Sequence, residues 1–584
     1  MEYIKVENLT FAYSGKEALA LDQVNLTIEE GSFTVLCGKS GCGKSTLLRH
    51  FKLPLRPYGE RQGQVYVGGK AIDSIGLREE SQLIGFVQQD PDNQLVTDKV
   101  WHELAFGLEN LGLPREIIRR RVGEIATYFG IGKWFNKEVA HLSGGQKQLL
   151  NLASTMVMNP KVLVLDEPTA QLDPIAAQEF LMTLRQLNKD LGITILLCEH
   201  RLEHALGLCH HVVVMDGGKV ICHDEPKVIA SKLNKWNDGK AHPMYEGMPA
   251  VTKIFADTKL CRDSYESIPL DVREARNVAK SLLGLPKCDE SKCQREVASG
   301  KSGNSLHDQE NPWFFSKMRC LSKGNDNKAI VAKHLWFRYT RDGDDILKDF
   351  NLEVEKGQLL AILGENGVGK STSLKCMMSV ERPYQGKVIL KEGVIPALVP
   401  QNPKAMISQI TVEDEVIDGL DENLSLEEQS QLLEEILTLM ELNHLRTSNP
   451  YDISGGEQQR LAIAKVLARK PNLIFLDEPT KGLDPFFKKT LGRIFKNMTA
   501  KGISLVMVSH DVEFCAEFAD KSALFFDGAI IAQGKGSKFY SGNQFYTTSV
   551  NKAMSLWEPD IVTVEEAKRW MEKQGLASRP LQEN

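Results

Sequence analysis

Two glycine-rich stretches constrain this chain more than anything else in it. The first is Gly38-Lys39-Ser40-Gly41-Cys42-Gly43-Lys44-Ser45-Thr46, preceded by the apolar run Phe33-Thr34-Val35-Leu36 and followed by Leu47 to Phe51. The second is Gly364-Glu365-Asn366-Gly367-Val368-Gly369-Lys370-Ser371-Thr372, after the run Leu359 to Leu363. Such short apolar runs predict buried parallel strands. A strand that turns through G-x-x-x-x-G-K-S into a helix predicts a phosphate-binding loop. Glycines at 38, 41 and 43 let the backbone turn tightly and aim successive N–H groups inward, forming a nest for an anion. The new helix adds its N-terminal partial charge of roughly +0.5 at the same spot. Lys44 can then reach β- and γ-phosphates, and the Ser45 hydroxyl can hold Mg²⁺. A ligand-free turn explains one such stretch, but poorly explains two in the same setting.

The rest of the chain repeats with the loops. The loop recurs at an offset of 326 (Gly38 to Gly364). Ser143-Gly144-Gly145-Gln146 recurs at 311 as Ser454-Gly455-Gly456-Glu457, and Asp166-Glu167-Pro168-Thr169 recurs at 311 as Asp477-Glu478-Pro479-Thr480. Most of the shortening falls early: Gln89 lies 51 residues after Gly38, whereas Gln401 lies 37 after Gly364. From that glutamine to the serine-glycine motif the spacing is 54 and 53, so the intervening helical segment keeps its size. Each half opens on alternating strand-like residues (Tyr3 to Tyr13, Ala329 to Tyr339) and then alternates strands with helices, which predicts α/β halves with a largely parallel core sheet. Smaller appendages follow each half and end alike, in Val272-Arg273-Glu274-Ala275-Arg276 and Val564-Glu565-Glu566-Ala567-Lys568. The stretch from 286 to 327 is polar, rich in Gly, Ser and Asn and mixed in charge, and reads as a flexible linker.

Bulk properties mainly exclude. The 584 residues carry 77 acidic against 71 basic side chains, a net charge of −6, so no global nucleic-acid footprint is expected. No apolar run is long enough to span a bilayer, and the start at Met1-Glu2-Tyr3 is not that of a signal peptide. Eleven scattered cysteines fit reduced thiols in the cytosol. Cys42, inside the first loop, is either a thiol activated by helix N–H groups or a tolerated small residue, and the second reading is preferred. Cys288 and Cys293 lie in the polar linker without a second ligand pair, so no zinc site is expected.

Several strand ends carry candidate chemistry. Leu163 to Leu165 run into Asp166 and Glu167, placing two carboxylates at the C-terminal end of a buried strand, where ligands of open α/β sheets bind. Asp166, like Asp477, is suited to hold Mg²⁺; Glu167 and Glu478 are placed to polarise a water against the γ-phosphate. Gln89 and Gln401 precede Asp90-Pro91 and Asn402-Pro403, hence sit in loops, and a neutral amide there can contact both metal and attacking water. His200 and His510 follow the apolar runs 193–197 and 503–508 and can donate to the γ-phosphate. Ser143 to Gln146 and Ser454 to Glu457 each open a helix, offering a second anion-binding terminus. Two such termini on one triphosphate suit a ligand clamped between two halves.

With these motifs in order and duplicated, the chain resembles the ATP-binding cassette (ABC) ATPases, with both cassettes present. The resemblance implies two P-loop NTPase nucleotide-binding domains, each with a helical subdomain and a small C-terminal extension: 1–235 and 236–285, the linker 286–327, then 328–540 and 541–584. It implies that Tyr13 and Tyr339 stack on adenine, and that Leu172-Asp173-Pro174 and Leu483-Asp484-Pro485 are D-loops. It also implies a head-to-tail sandwich, with one ATP between loop 38–46 and Ser454 to Glu457 and the other between loop 364–372 and Ser143 to Gln146. Gln89 to Val96, with Val100 and Ala105 to Gly112, further resembles the energy-coupling factor (ECF) transporter ATPases. That family implies a membrane-embedded T component, a substrate-binding S component for a vitamin or transition metal, and a peripheral place on the cytoplasmic membrane face. The second half lacks the Pro-Asp-Asn-Gln run, Leu149 stands where the family's arginine is retained as Arg460, and Glu457 replaces glutamine. The competing expectation is a soluble cassette pair acting on ribosomes or nucleic acid, but the mixed-charge linker shows no sustained heptads; a sugar-type importer ATPase lacks the Pro-Asp-Asn-Gln stretch.

Overall fold

A computed structural model describes residues 2–15, 18–236, 240–284, 327–365, 367–421 and 424–576. The expected linker, apart from residue 327, lies outside the described residues, as do Asn366, Cys288 and Cys293.

Each half contains a six-stranded sheet of the same order. In the first, the strands run from one edge as Lys219–Asp224, His211–Asp216, Phe33–Gly38, Thr194–Cys198, Val162–Asp166 and Ile84–Val87. In the second they run as Ala529–Lys535, Lys521–Phe526, Leu359–Leu363, Ser504–Ser509, Leu473–Asp477 and Pro396–Val399. Only the first pair in each sheet is antiparallel; the others are parallel. Parallel strands covered on both faces need apolar side chains on both, and Phe33–Gly38, Val162–Asp166 and Thr194–Cys198 are buried along their whole length.

A second, antiparallel sheet packs Ile4, Val6 and Phe11 into one core with Leu36, Leu47 and Val164. It explains the shortening of the second half. Both sheets have an outer pair of strands flanking the opening one, but the first half adds strand Lys70–Ala71 and helix Leu77–Leu83 before Ile84–Val87. The second passes from Gln385–Leu390 to Pro396–Val399 through a short turn. The helical segments match: Val100–Asn110, Arg115–Tyr128 and Gly144–Met156 against Val412–Ile417, Leu426–Leu439 and Gly455–Leu467.

The appendages join. Val251, Ile254, Ala275 and Ala279 of the first share a core with Val550, Met554, Ala567 and Met571 of the second. Arg276 Nε donates to Lys552 O at 2.9 Å and Trp557 Nε1 to Gly284 O at 3.2 Å. Their similar ends start alike: Asp271 and Thr563 cap helices Val272–Leu283 and Val564–Lys573 by accepting from Glu274 and Glu566 N–H. Those glutamates reach back to Leu270 and Val562 N–H, both at 3.0 Å.

Candidate functional site

Four neighbouring strands deliver the motif residues to one end of each sheet. In the first half the glycine loop follows Phe33–Gly38, His200 follows Thr194–Cys198, Glu167 follows Val162–Asp166 and Gln89 follows Ile84–Val87. Sheet order thus brings together residues that the chain separates widely.

The loop glycine before each lysine has no substitute. Gly43 (φ 99°) and Gly369 (φ 107°) are left-handed; a Cβ would meet Ala20 O at 2.4 Å in the first and Ile346 Cγ2 at 2.6 Å in the second. Lys44 Nζ folds over its own loop, donating to Gly38 O (2.9 Å) and Lys39 O (2.8 Å); Lys370 Nζ repeats this on Gly364 O (2.7 Å) and Glu365 O (2.9 Å). Tyr13 and Tyr339 place their hydroxyls 2.9 and 3.2 Å from Thr46 and Thr372 Oγ1, so each ring stands beside the first turn of the loop helix.

Ser45 Oγ donates to Asp166 Oδ1 at 2.9 Å, and Ser371 Oγ to Asp477 Oδ1 at 2.9 Å. Burial, and next the charge of Glu167, push Asp166 up to about 6; burial also raises Asp477. Asp166, Glu167 and Cys198 have possible ligand atoms within 4.8 Å of one another. A carboxylate that is costly to ionise alone, beside a hydroxyl and a second carboxylate, fits a divalent cation with oxygen ligands.

Glu167 Oε1 lies 2.7 Å from His200 Nε2, and its Oε2 accepts from Gln89 Nε2 at 3.2 Å. Glu478 Oε2 lies 2.8 Å from His510 Nδ1 and its Oε1 3.6 Å from Lys370 Nζ. Burial alone would raise both glutamates, but their histidines outweigh it and hold both below the ordinary glutamate value. Both have left-handed backbones, φ 47° and 51°, a strain of about 1–3 kcal/mol each that residue type does not announce. Gln401 lies exposed on its loop.

The serine-glycine motifs start their helices as capping boxes. Ser143 Oγ accepts from Gln146 N (3.3 Å) while Gln146 Oε1 accepts from Ser143 N (3.1 Å). Ser454 and Glu457 do the same at 3.4 and 2.8 Å. Because S-x-x-E and S-x-x-Q serve this box equally, Glu457 keeps the local structure that Gln146 has. Arg460 Nη1 donates to Met440 O at 3.1 Å, whereas Leu149 packs against the apolar core. Cys42 is buried, and burial raises its thiol rather than activating it.

The halves meet beside the first loop and beside His510. Ser40 N, in the first loop, donates to Asp484 Oδ2 of the second half at 2.9 Å. Arg201, unremarkable in the sequence, donates to Leu172 O at 3.0 Å and places Nη2 3.4 Å from His510 Nε2. Its position directly after a motif histidine was the only available signal.

A duplicated phosphate loop, strand-end carboxylate pair and second helix terminus define a tandem P-loop ATPase. A family model described as "ABC transporter" matches residues 21–170 and 347–481, once in each half. A Bacillus anthracis protein named "Putative ABC transporter ATP-binding protein" is 37% identical, covering 97% of both chains. Proteins of the same name from Methanosarcina acetivorans (33% identical; 96% of this chain, 88% of that one) and Streptomyces coelicolor (31%; 94% and 97%) also match. A solved structure of CbiO1 from Clostridium perfringens, described as part of the ABC transporter complex CbiONQ, is 37% identical over 41% of this chain and 97% of its own, with a TM-score of 0.37. The chain belongs to the ABC transporter family and is an ATP-binding ATPase with two cassettes.

Proposed function

We propose that this ATPase energises an ECF-type importer, closing its two cassettes on ATP to drive a membrane T component paired with an S component for a vitamin or transition metal. One ATP lies between loop 38–46 and Ser454 to Glu457, the other between loop 364–372 and Ser143 to Gln146, with Tyr13 and Tyr339 on the adenines. Ser45 with Asp166, and Ser371 with Asp477, aided by Gln89 and Gln401, would hold Mg²⁺, which supplies charge neutralisation at the phosphates. Glu167 and Glu478 accept a proton from the attacking water at the carboxylate; their lowered pKa keeps them ionised for that task. His200 and His510 orient those carboxylates through Nε2 and Nδ1 respectively, and each ring would have to turn from its glutamate to donate to the γ-phosphate. The domain divisions at 235, 285, 327 and 540 belong to the same proposal.

The observation that carries the transport reading is a run of exposed apolar side chains just after Gln89 to Gln94: Val96 (64% exposed), Trp101 (40%) and Phe106 (39%). Ile410 and Ile417 occupy the equivalent region of the second half and are also exposed. Apolar surface beside a nucleotide-contacting loop suits an apolar partner helix. Among the described residues no helix is long and apolar enough to cross a membrane. Affinity purification of the full chain from detergent-solubilised membranes tests the reading. A co-purifying small polytopic protein, lost in a Trp101→Glu/Phe106→Glu variant, is the expected result; co-purifying ribosomes or nucleic acid alone would overturn it.

A further inference from the structure

We propose that Lys39 and Phe486 form a latch confined to the first nucleotide site, so that the two sites release nucleotide at different rates. The inference rests on reading each glycine loop as a nucleotide cradle.

Two residues of the second half, Asp484 and Phe486, grip two consecutive residues of the first loop, Ser40 and Lys39. Asp484, 2% exposed, accepts from Ser40 N with Oδ2 and caps its own helix through Phe487 N (2.8 Å) with Oδ1. Two residues on, the Phe486 ring has Lys39 Nζ 5.0 Å from its centroid. The cap fixes where the helix Pro485–Ala500 begins, and this places the aromatic face over the lysine. Opening the halves at this site must therefore remove a cation from a ring as well as break a hydrogen bond.

The second site has neither member of that pair. Glu365 occupies the position of Lys39, and Ile175 that of Phe486. Asp173 caps its own helix through Ala176 N at 2.8 Å, but is only partly buried, and Ile175 is 58% exposed. A carboxylate and an aliphatic chain offer no comparable attraction, and a carboxylate beside a phosphate cradle opposes the anion. Asn366, at the position of Ser40, lies outside the described residues, so the contrast stands on the 39/486 and 365/175 pairs.

Release of mant-ATP with Mg²⁺ from the full chain tests this by stopped flow. A Lys370→Ala background reports the first site and a Lys44→Ala background the second. With Lys370→Ala, Phe486→Leu is expected to speed release about 2–5-fold, the worth of a partly exposed cation–π contact, while Phe486→Trp retains the slow rate. With Lys44→Ala, neither change should alter release. Equal effects at both sites, no effect at the first, or a Trp variant as fast as Leu would overturn the latch while leaving the cradles intact. If Lys44→Ala and Lys370→Ala each fail to remove one equivalent of bound nucleotide, the cradle reading falls and the latch with it.

Discussion

Arg201 and His510 meet across the halves, Nη2 to Nε2 at 3.4 Å, although 309 positions separate them. The same guanidinium donates to Leu172 O, next to Asp173. It therefore ties the loop after one motif histidine to the turn before its own half's Asp173 and to the histidine of the other half. The connection is one-sided, since the position equivalent to Arg201 is Asp511, which caps its own helix through Phe514 N at 3.1 Å and pairs with Lys488. Arg201→Ala should lower kcat for ATP hydrolysis about tenfold, the scale of a lost charged hydrogen bond, with Arg201→Lys intermediate. Unchanged steady-state turnover in Arg201→Ala would show the contact to be idle.

If Glu167 and Glu478 receive the proton of the attacking water, the double change to glutamine should remove most turnover while ATP binding survives. General-base assistance is worth roughly 10²–10⁴-fold. Glutamine can keep one acceptor for each histidine, so a large fold defect is not expected. Near wild-type hydrolysis by Glu167→Gln/Glu478→Gln, measured as phosphate release with excess ATP, would refute these roles.

What the sequence made legible follows a physical divide. Parallel strands such as Phe33–Gly38 and Leu359–Leu363 are buried on both faces, so their apolar runs stand out and fix the glycine loops that follow. The duplication then located the second half, and the shorter stretch before Gln401 matches a missing outer strand and helix. The left-handed backbones of Glu167 and Glu478 were illegible, because they reflect the strand-to-turn geometry rather than a residue preference. So was the contact of Asp484 with Ser40, since a hydrogen bond across 444 positions leaves no local pattern. The pairing of the appendages was half visible: their similar ends showed a shared helix start, but not that the two faces cover one another.

The second half adds a lysine to a tether that the first half makes with Glu103 alone, whose Oε2 accepts from Val96 N (3.1 Å) and Thr97 N (2.8 Å). Lys465, in the last turns of helix Gly455–Leu467, donates to Met406 O (3.0 Å) and Ser408 Oγ (3.1 Å) and pairs with Asp418 (2.9 Å) and the buried Glu415. Glu415 in turn accepts from Ser408 and Gln409 N–H, holding the loop that follows Gln401. Ser154 takes the place of Lys465 in the first half, where Lys147 instead pairs with Asp92 at 2.6 Å. Lys465→Ala leaves a 1% exposed carboxylate without its cation and should destabilise the chain by about 3–5 kcal/mol. Adding Glu415→Gln should recover much of that loss in denaturant unfolding. Equal stability of the single and double variants would show that the charge pair contributes little.

The last prediction concerns pH. Glu513 lies three residues after His510 and accepts from Ser549 N (2.7 Å) and Oγ (2.6 Å) at the start of the second appendage. Glu203, three after His200, accepts from Ala250 N (3.1 Å) at the first. Each half thus docks its own appendage through a glutamate at the same step from its histidine. Burial, then the Glu203 charge, push Glu513 from 4.5 up to about 7, with Asp511 adding to the rise and Ser549 opposing it. The folded chain keeps a proton that the unfolded chain loses, so this group's contribution to stability is complete below about 4.5 and is lost as pH rises to about 7. Glu513→Gln keeps an acceptor for Ser549 but cannot ionise. Its stability advantage over the wild-type chain should be near zero at acid pH, grow through that window and level off above it at about 2 kcal/mol or more. Thermal unfolding of both proteins across pH reads this directly, and a difference that stays constant with pH would show that the Glu513 carboxyl does not titrate there.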